Sequence, residues 1–345
     1  MKRIDFLDVY KGIGIFFVIL GHMPIRPELY SYIFSFQLAI FFFVGGFLYR
    51  ESHIMNTFTQ YLMKKICRVL IPYFILGFIS ILIYSLYSQY IGKDYSILDM
   101  FSKLIISKRN EIYFNVPLWF LTSFFLVEVI YYILKCFFNN FLISIIVLIF
   151  GFVGVIIFRT TGSLFTLPWT FDAALYFIIY YFVGDMFSKG ITYSNRNISF
   201  FFKSLILVFL ISIIVNVMNL FSLIKHADII YYDFGFLISL VSYLFHVFIS
   251  LTGVFTYLFL SYVFKWVNVL KYLGRNSLYY FAFHIPVYHI MYNEGIFDMI
   301  FKDLFLNVSN ITIIGISYTI IIILTITPIV WIINITKKIL IKLKD

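Results

Sequence analysis

The sequence predicts an all-α, polytopic membrane protein with about ten transmembrane helices and both termini cytoplasmic. Three observations carry that prediction. The chain is 62% hydrophobic and only 12% charged, with a mean hydropathy of +0.98. Soluble domains carry about 25% charged residues. The apolar residues gather into runs long enough to cross a hydrocarbon core roughly 30 Å thick. The basic residues fall in the stretches between the runs, and alternate stretches hold about twice as many as the others. The richer set contains both termini, which puts them inside.

The expected spans lie at 7–23, 31–49, 67–90, 115–135, 141–158, 171–187, 200–222, 234–264, 276–292 and 311–335. The first follows Met1-Lys2-Arg3, the charged start that a signal peptide would have. Gly21-His22-Met23-Pro24 offers no small-residue cleavage site, so the run reads as a retained helix. The second is an aromatic run that ends in Gly45-Gly46. An inner connection, Lys64 to Pro72, leads into the third. The longest loop, about 91–114, follows on the outer side. The fourth span opens on Pro117-Leu118-Trp119, an aromatic at the outer interface, and carries Glu128. A carboxylate in lipid needs a partner, and a cation from a neighbouring helix would make it structural. The eighth is long enough to be one tilted helix or two shorter pieces. The ninth holds Asn276, Ser277, His284 and Pro286, and the tenth runs out into Lys337-Lys338. The whole chain, 1–345, reads as a single transmembrane domain.

The net charge of +10 invites a nucleic-acid reading. No long basic tail or soluble domain exists to carry one, and the basic residues follow membrane topology. Cys67 and Cys136 both fall at segment ends on the cytoplasmic side, so no disulfide is expected. No His, Cys, Asp and Glu set has metal-ligand spacing, so no metal is expected. The abundance of Phe, Tyr, Ile, Lys and Asn fits an AT-rich genome; the expected location is a bacterial cell membrane, crossed many times.

The first span carries the main candidates. Lys11 stands near its inner edge and His22 at its outer edge. Eleven helical steps come to about 1100°, roughly 20° past three turns, so both side chains share one face about 16 Å apart. Ionisable groups at such positions face the protein interior or a wet cavity. Imidazole titrates near neutral pH and is the usual general base, although a lone His at a helix end is more often an interfacial residue. Asp8 lies one turn before Lys11. Lys64, Lys65 and Arg68 cluster at the inner edge of the third span. They are either a phosphate-binding cluster or a topology signal in contact with anionic lipid. His284 is either catalytic or bonded to the carbonyls that Pro286 frees, and His289 faces elsewhere, roughly 140° round.

Together these features resemble the acyltransferase-3 family of membrane acyltransferases. The resemblance rests on Lys11 and His22 with ten residues between them, and on the opening Ile4 to Gly12. It continues through Phe34 to Leu48, Lys65-Ile66-Cys67-Arg68 with Pro72, Leu118 to Leu121, and Leu273 to His284. The family often has arginine where this chain has Lys11 and Lys65. The lysine form is similar to the branch of sugar O-acetyltransferases. The resemblance implies transfer of an acetyl group from acetyl-CoA to a hydroxyl of a cell-surface polysaccharide or its lipid-linked precursor. It implies His22 and Lys11 as catalytic residues, and Lys64, Lys65 and Arg68 as the donor-binding set. Asp8, Trp119, Asn276, Ser277 and His284 are supporting candidates. The implied partners are a carbohydrate or glycolipid acceptor and membrane lipids, with homo-oligomers left open. A transporter or flippase for a lipid-linked glycan is the alternative, but no internal repeat or paired broken helix marks it. A purely structural membrane subunit is the third reading, and the shared face of Lys11 and His22 counts against it.

Overall fold

The computed structural model of the chain describes residues 4–50, 57–92, 95–161, 167–193, 198–221, 236–301 and 310–342. It is helical throughout, with no strand among the described residues. Seven helical stretches are long and apolar enough to cross a membrane: Pro27–Phe47, Phe58–Tyr90, Val116–Phe137, Asn140–Ile157, Pro168–Thr192, Leu237–Val263 and Ile311–Ile339. The other three expected spans are helices of 17, 15 and 17 residues, Asp5–Gly21, Ile206–Leu220 and Ser277–Asn293. The eighth span is one continuous helix, not two pieces.

In order, α1 is Asp5–Gly21, α2 Pro27–Phe34 and α3 Gln37–Phe47. The second span is thus bent where α2 gives way to α3, at Ser35-Phe36. Helix α4 (Phe58–Lys65) opens on a capping box, with the Thr57 and Gln60 side chains each bonded to the other's backbone. A π-helical turn at Ile66–Leu70 joins it to α5 (Ile71–Tyr90). The basic cluster read as a connection is therefore helix, and Pro72 is tolerated at the start of α5.

The long outer loop also holds a helix, α6 (Ile97–Ile106). Ser96 caps its start, and Ser107 ends it in the left-handed conformation. Its buried Met100 and Leu104 pack it onto α5. The run is too short to span, so hydropathy alone passed over it. Then come α7 (Trp119–Phe137), α8 (Asn140–Thr161), α9 (Phe171–Tyr193), α10 (Ile198–Ser204) and α11 (Ile206–Leu220). The chain ends with α12 (Phe236–Val263), α13 (Asn268–Arg275), α14 (Ser277–Asn293), α15 (Ile296–Phe301) and α16 (Ile311–Lys342).

Helices α1 and α3 sit at the centre, against α9, α12, α13 and α14. Glycine makes two of these contacts possible. A Cβ on Gly46 of α3 would lie 1.8 Å from the Tyr181 carbonyl oxygen of α9. A Cβ on Gly274 of α13 would lie 1.7 Å from the Asp8 carbonyl oxygen of α1. Small residues let helix backbones meet where lipid gives no hydrophobic drive for association. The outward faces are apolar instead. On α5, Phe74, Ile75, Phe78, Leu82 and Leu86 are exposed at helical spacing. This is the face that hydrocarbon covers.

Candidate active site

At the N-terminal end of α1, Asp8 holds two cations. Its carboxylate lies 3.1 Å from the Lys11 ammonium and 3.0 Å from the Arg275 guanidinium of α13. Asp5 adds contacts to Lys271 and Arg275. Helix α13 is thereby pinned to α1 by charge as well as by the Gly274 contact. Lys11 faces a cavity of about 580 Å³ that also takes in Arg50, Lys64, Lys65, Arg68 and Glu128. Pairing explains the one acid. The Lys65 ammonium is buried and bonded to Glu128, whose backbone carbonyl accepts from the Tyr61 hydroxyl at 3.1 Å. Glu128 thus has the cation from a neighbouring helix that its place in the sequence required. The chamber carries five cations against one carboxylate, a balance suited to a polyanion.

Aromatic rings border the chamber as well. Phe41, Phe120 and Phe124 line it, and the Phe41 ring lies against Gly14 of α1. Ring contacts then run in series. Phe41 and Phe120 centroids are 5.9 Å apart, Phe120 and Phe281 are 5.3 Å apart, and Phe281 and His284 are 6.2 Å apart. His284 of α14 stands 5.0 Å from His22, ring centroid to ring centroid, in an edge-on arrangement. An apolar partition therefore separates the cationic chamber from a pair of imidazoles at the far end of α1.

Both imidazoles are held in one tautomer. His22 Nδ1 lies 2.7 Å from the Val18 carbonyl oxygen, and His284 Nδ1 lies 2.7 Å from that of Phe281. A carbonyl only accepts, so each Nδ1 carries a hydrogen and each Nε2 keeps its lone pair. His284 is fully buried, and its Nε2 has no hydrogen-bond partner. Pro286 frees the Ala282 carbonyl, four residues back, because it has no N–H to give. Asn115, not His284, meets that oxygen, with its side-chain amide donating at 2.8 Å. The same amide nitrogen lies 2.8 Å from the Ser80 hydroxyl. Asn115 thus ties α5, the start of α7 and the proline-containing α14 together beside His284.

Three contributors escaped the sequence reading. Arg50 completes the chamber. Asn115 supports α14. Gln37 is buried, its Oε1 has no partner, and it lies beside Gly21, next to His22. The one signal for Gln37 was an amide inside an aromatic run, and the same holds for Asn115 just before Pro117. The other supporting candidates are placed apart. Trp119 packs under the Arg109 guanidinium, which pairs with Asp172 at 2.7 Å. Asn276 joins α13 to α14, bonded to the Tyr272 carbonyl and to Asn334. Ser277 is half-buried at the first position of α14, beside Leu278 of the chamber wall. His289 looks into a second cavity near the end of α14.

A family model described as an acyltransferase domain, that of the acyltransferase-3 family, matches residues 4–335. The chain belongs to the acyltransferase-3 family. It is a membrane acyltransferase, and the match takes in both the cationic chamber and the imidazole pair of this acyltransferase. No curated protein and no solved structure matches the chain.

Proposed function

We propose that this acyltransferase moves acetyl from cytoplasmic acetyl-CoA to a hydroxyl of a cell-surface polysaccharide or its lipid-linked precursor. The supporting observation is the division of one helix: a five-cation chamber at one end of α1 and two imidazoles with free Nε2 atoms at the other. Coenzyme A presents phosphates, which Lys11, Arg50, Lys64 and Arg68 attract by charge-assisted hydrogen bonds. Its thioester arm extends along the aromatic partition toward His22.

There His22 Nε2 takes the proton of the acceptor hydroxyl. The oxygen attacks the thioester carbonyl carbon, the new C–O ester bond forms and the C–S bond breaks. The imidazolium returns the proton to the leaving sulfur, which departs as the thiol. The same lone pair on Nε2 also suits a two-step route in which His22 carries the acyl group. Gln37 orients the acceptor hydroxyl.

The test is His22→Ala in purified protein supplied with radiolabelled acetyl-CoA and in cells whose surface carbohydrate is analysed. Transfer falls at least ~100-fold while protein level and unfolding temperature hold. Unchanged O-acetylation with normal protein levels sinks the catalytic role of His22.

A further inference from the structure

The second cavity, of about 180 Å³, lies where the ends of α5 and α14 meet the loop segments on either side of α6. Tyr84, Tyr87, Tyr95 and Tyr113 line it, with His289 and Asn293 from α14. His284 and His289 are five residues apart on one helix, about 7.5 Å along its axis. The cavity therefore lies further along α14 than His284 and round on another face of the helix, at the end away from the Leu278 wall of the cationic chamber.

Three of its four tyrosines do not behave as an interfacial belt, and the fourth, Tyr95, is exposed. A belt ring faces lipid, as Tyr90 does with 75% of its surface exposed. Tyr84, Tyr87 and Tyr113 are half-buried and turn inward. Three rings hold each other edge to face or tilted: Tyr84 and Tyr95 at 5.3 Å, Tyr84 and Tyr113 at 5.6 Å, and Tyr95 and Tyr113 at 5.7 Å. Carboxylates outside the cavity fix two hydroxyls. Tyr87 donates to Glu294 at 3.0 Å and Tyr113 to Asp99 at 3.3 Å. The Lys103 ammonium sits over the Tyr113 ring, 4.6 Å from its centroid. The lining is thus a fixed set of aromatic faces with phenol, amide and imidazole groups between them.

That chemistry selects a ligand class. A cavity of ~150 Å³ holds one benzene ring, so about 180 Å³ admits a single six-membered ring. Aromatic faces are electron-rich and attract polarised C–H groups, which a pyranose presents on its faces. Its hydroxyls need paired donors and acceptors at the edge, which phenol, amide and imidazole supply. No lining residue carries a formal charge apart from the titratable His289, and the one cation beside the lining, Lys103, is paired with Asp99 at 2.9 Å, so the cavity offers a phosphate no uncompensated cation among its described neighbours. We infer that this tyrosine-lined cavity is a subsite for one uncharged pyranose ring of the acceptor, next along the glycan from the ring that is acylated. The inference rests on the proposed transfer to a sugar hydroxyl.

The test uses saturation-transfer NMR on the purified full chain in detergent, with methyl glucopyranoside, methyl mannopyranoside and methyl rhamnopyranoside as separate probes and glycerol 3-phosphate as the anionic control. At least one pyranoside receives saturation. Tyr84→Ala and Tyr113→Ala each weaken that binding about fivefold to tenfold, the scale of a lost aromatic contact. Tyr84→Phe, which keeps the ring, retains most of it. Elution as a single species and an unchanged unfolding temperature certify each variant. Saturation of none of the pyranosides, survival of the signal in both alanine variants, or displacement by glycerol 3-phosphate overturns the subsite. The acyl-transfer reading fails separately: pyranoside binding that depends on Tyr84 and persists in His22→Ala, with no acetyl ever reaching a sugar, removes the transfer and leaves the cavity as a saccharide site.

Discussion

Residue by residue, two of the chamber's cations have carboxylate partners: Lys65 is bonded to Glu128 and Lys11 to Asp8. Lys65 and Glu128 are buried together. Removing one partner of such a pair leaves a buried charge and costs about 3–5 kcal/mol, whereas replacing both by apolar groups of similar size is close to neutral. Lys65→Met should therefore lower the unfolding temperature sharply, and Lys65→Met with Glu128→Leu should recover most of it. Donor binding by calorimetry should weaken in the single variant, where Glu128 stands uncompensated among the four remaining cations, and return in the double variant, whose chamber has the native net charge. Full recovery of donor binding in the double variant would show that Lys65 serves Glu128 alone. The need of Glu128 for a cation was legible in the sequence, since a lone carboxylate in an apolar run is costly. Which cation met it was not, because hydropathy does not say which helices touch. His22 was legible for a similar reason. Gln37 and Asn115 were not, since an amide in an apolar run carries no charge to be compensated.

At the level of elements, α14 depends on help from outside itself. Pro286 opens its hydrogen-bond ladder, and Asn115 closes the gap. Asn115→Ala leaves the Ala282 carbonyl buried without a partner, at a cost of about 1–3 kcal/mol. Thermal unfolding should report that loss, and acyl transfer should fall further than stability does, because His284 sits two residues along the same helix. Asn115→Asp, which loses the amide donor, should behave like the alanine variant. The contact of α1 with α13 makes a harsher demand. Gly274→Val puts side-chain atoms into the Asp8 carbonyl, so α13 must move away and Arg275 leaves Asp8. Little monodisperse protein should elute from this variant. The aromatic partition lies between these elements. Phe120→Ala opens it, and donor hydrolysis by water should rise relative to transfer to sugar, as read from labelled acetate against labelled glycan.

Across the whole molecule, charge and sidedness go together. The five-cation chamber and the exposed Cys67 and Cys136 all belong to the face assigned to the cytoplasm. A membrane-impermeant maleimide should label both cysteines in inverted vesicles and neither in intact cells. Labelling in intact cells would reverse the orientation and the direction of transfer with it. Salt should weaken donor binding by screening the chamber's partly exposed cations. The ordered span pattern behind this orientation was legible because hydropathy and basic-residue bias act on consecutive residues. Helix α6 and the π-helical turn at Ile66–Leu70 were not. The first is too short to register as a span, and the second is a detail of backbone packing.

The sequence by itself determined that this chain is a helical membrane protein, which end of α1 bears Lys11 and which bears His22, and the family to which it is similar. Those properties follow from hydrophobicity, helical period and the spacing of a few residues along one segment. Only the tertiary structure decided that His22 meets His284, that Lys65 closes on Glu128, and that Arg50 joins Lys11 in one chamber. Each of these joins residues far apart in the chain, on helices whose rotation about their own axes is set by contacts such as Gly46 on Tyr181 and Gly274 on Asp8. A helical period gives the face on which a side chain stands. What that face meets is fixed when the helices pack.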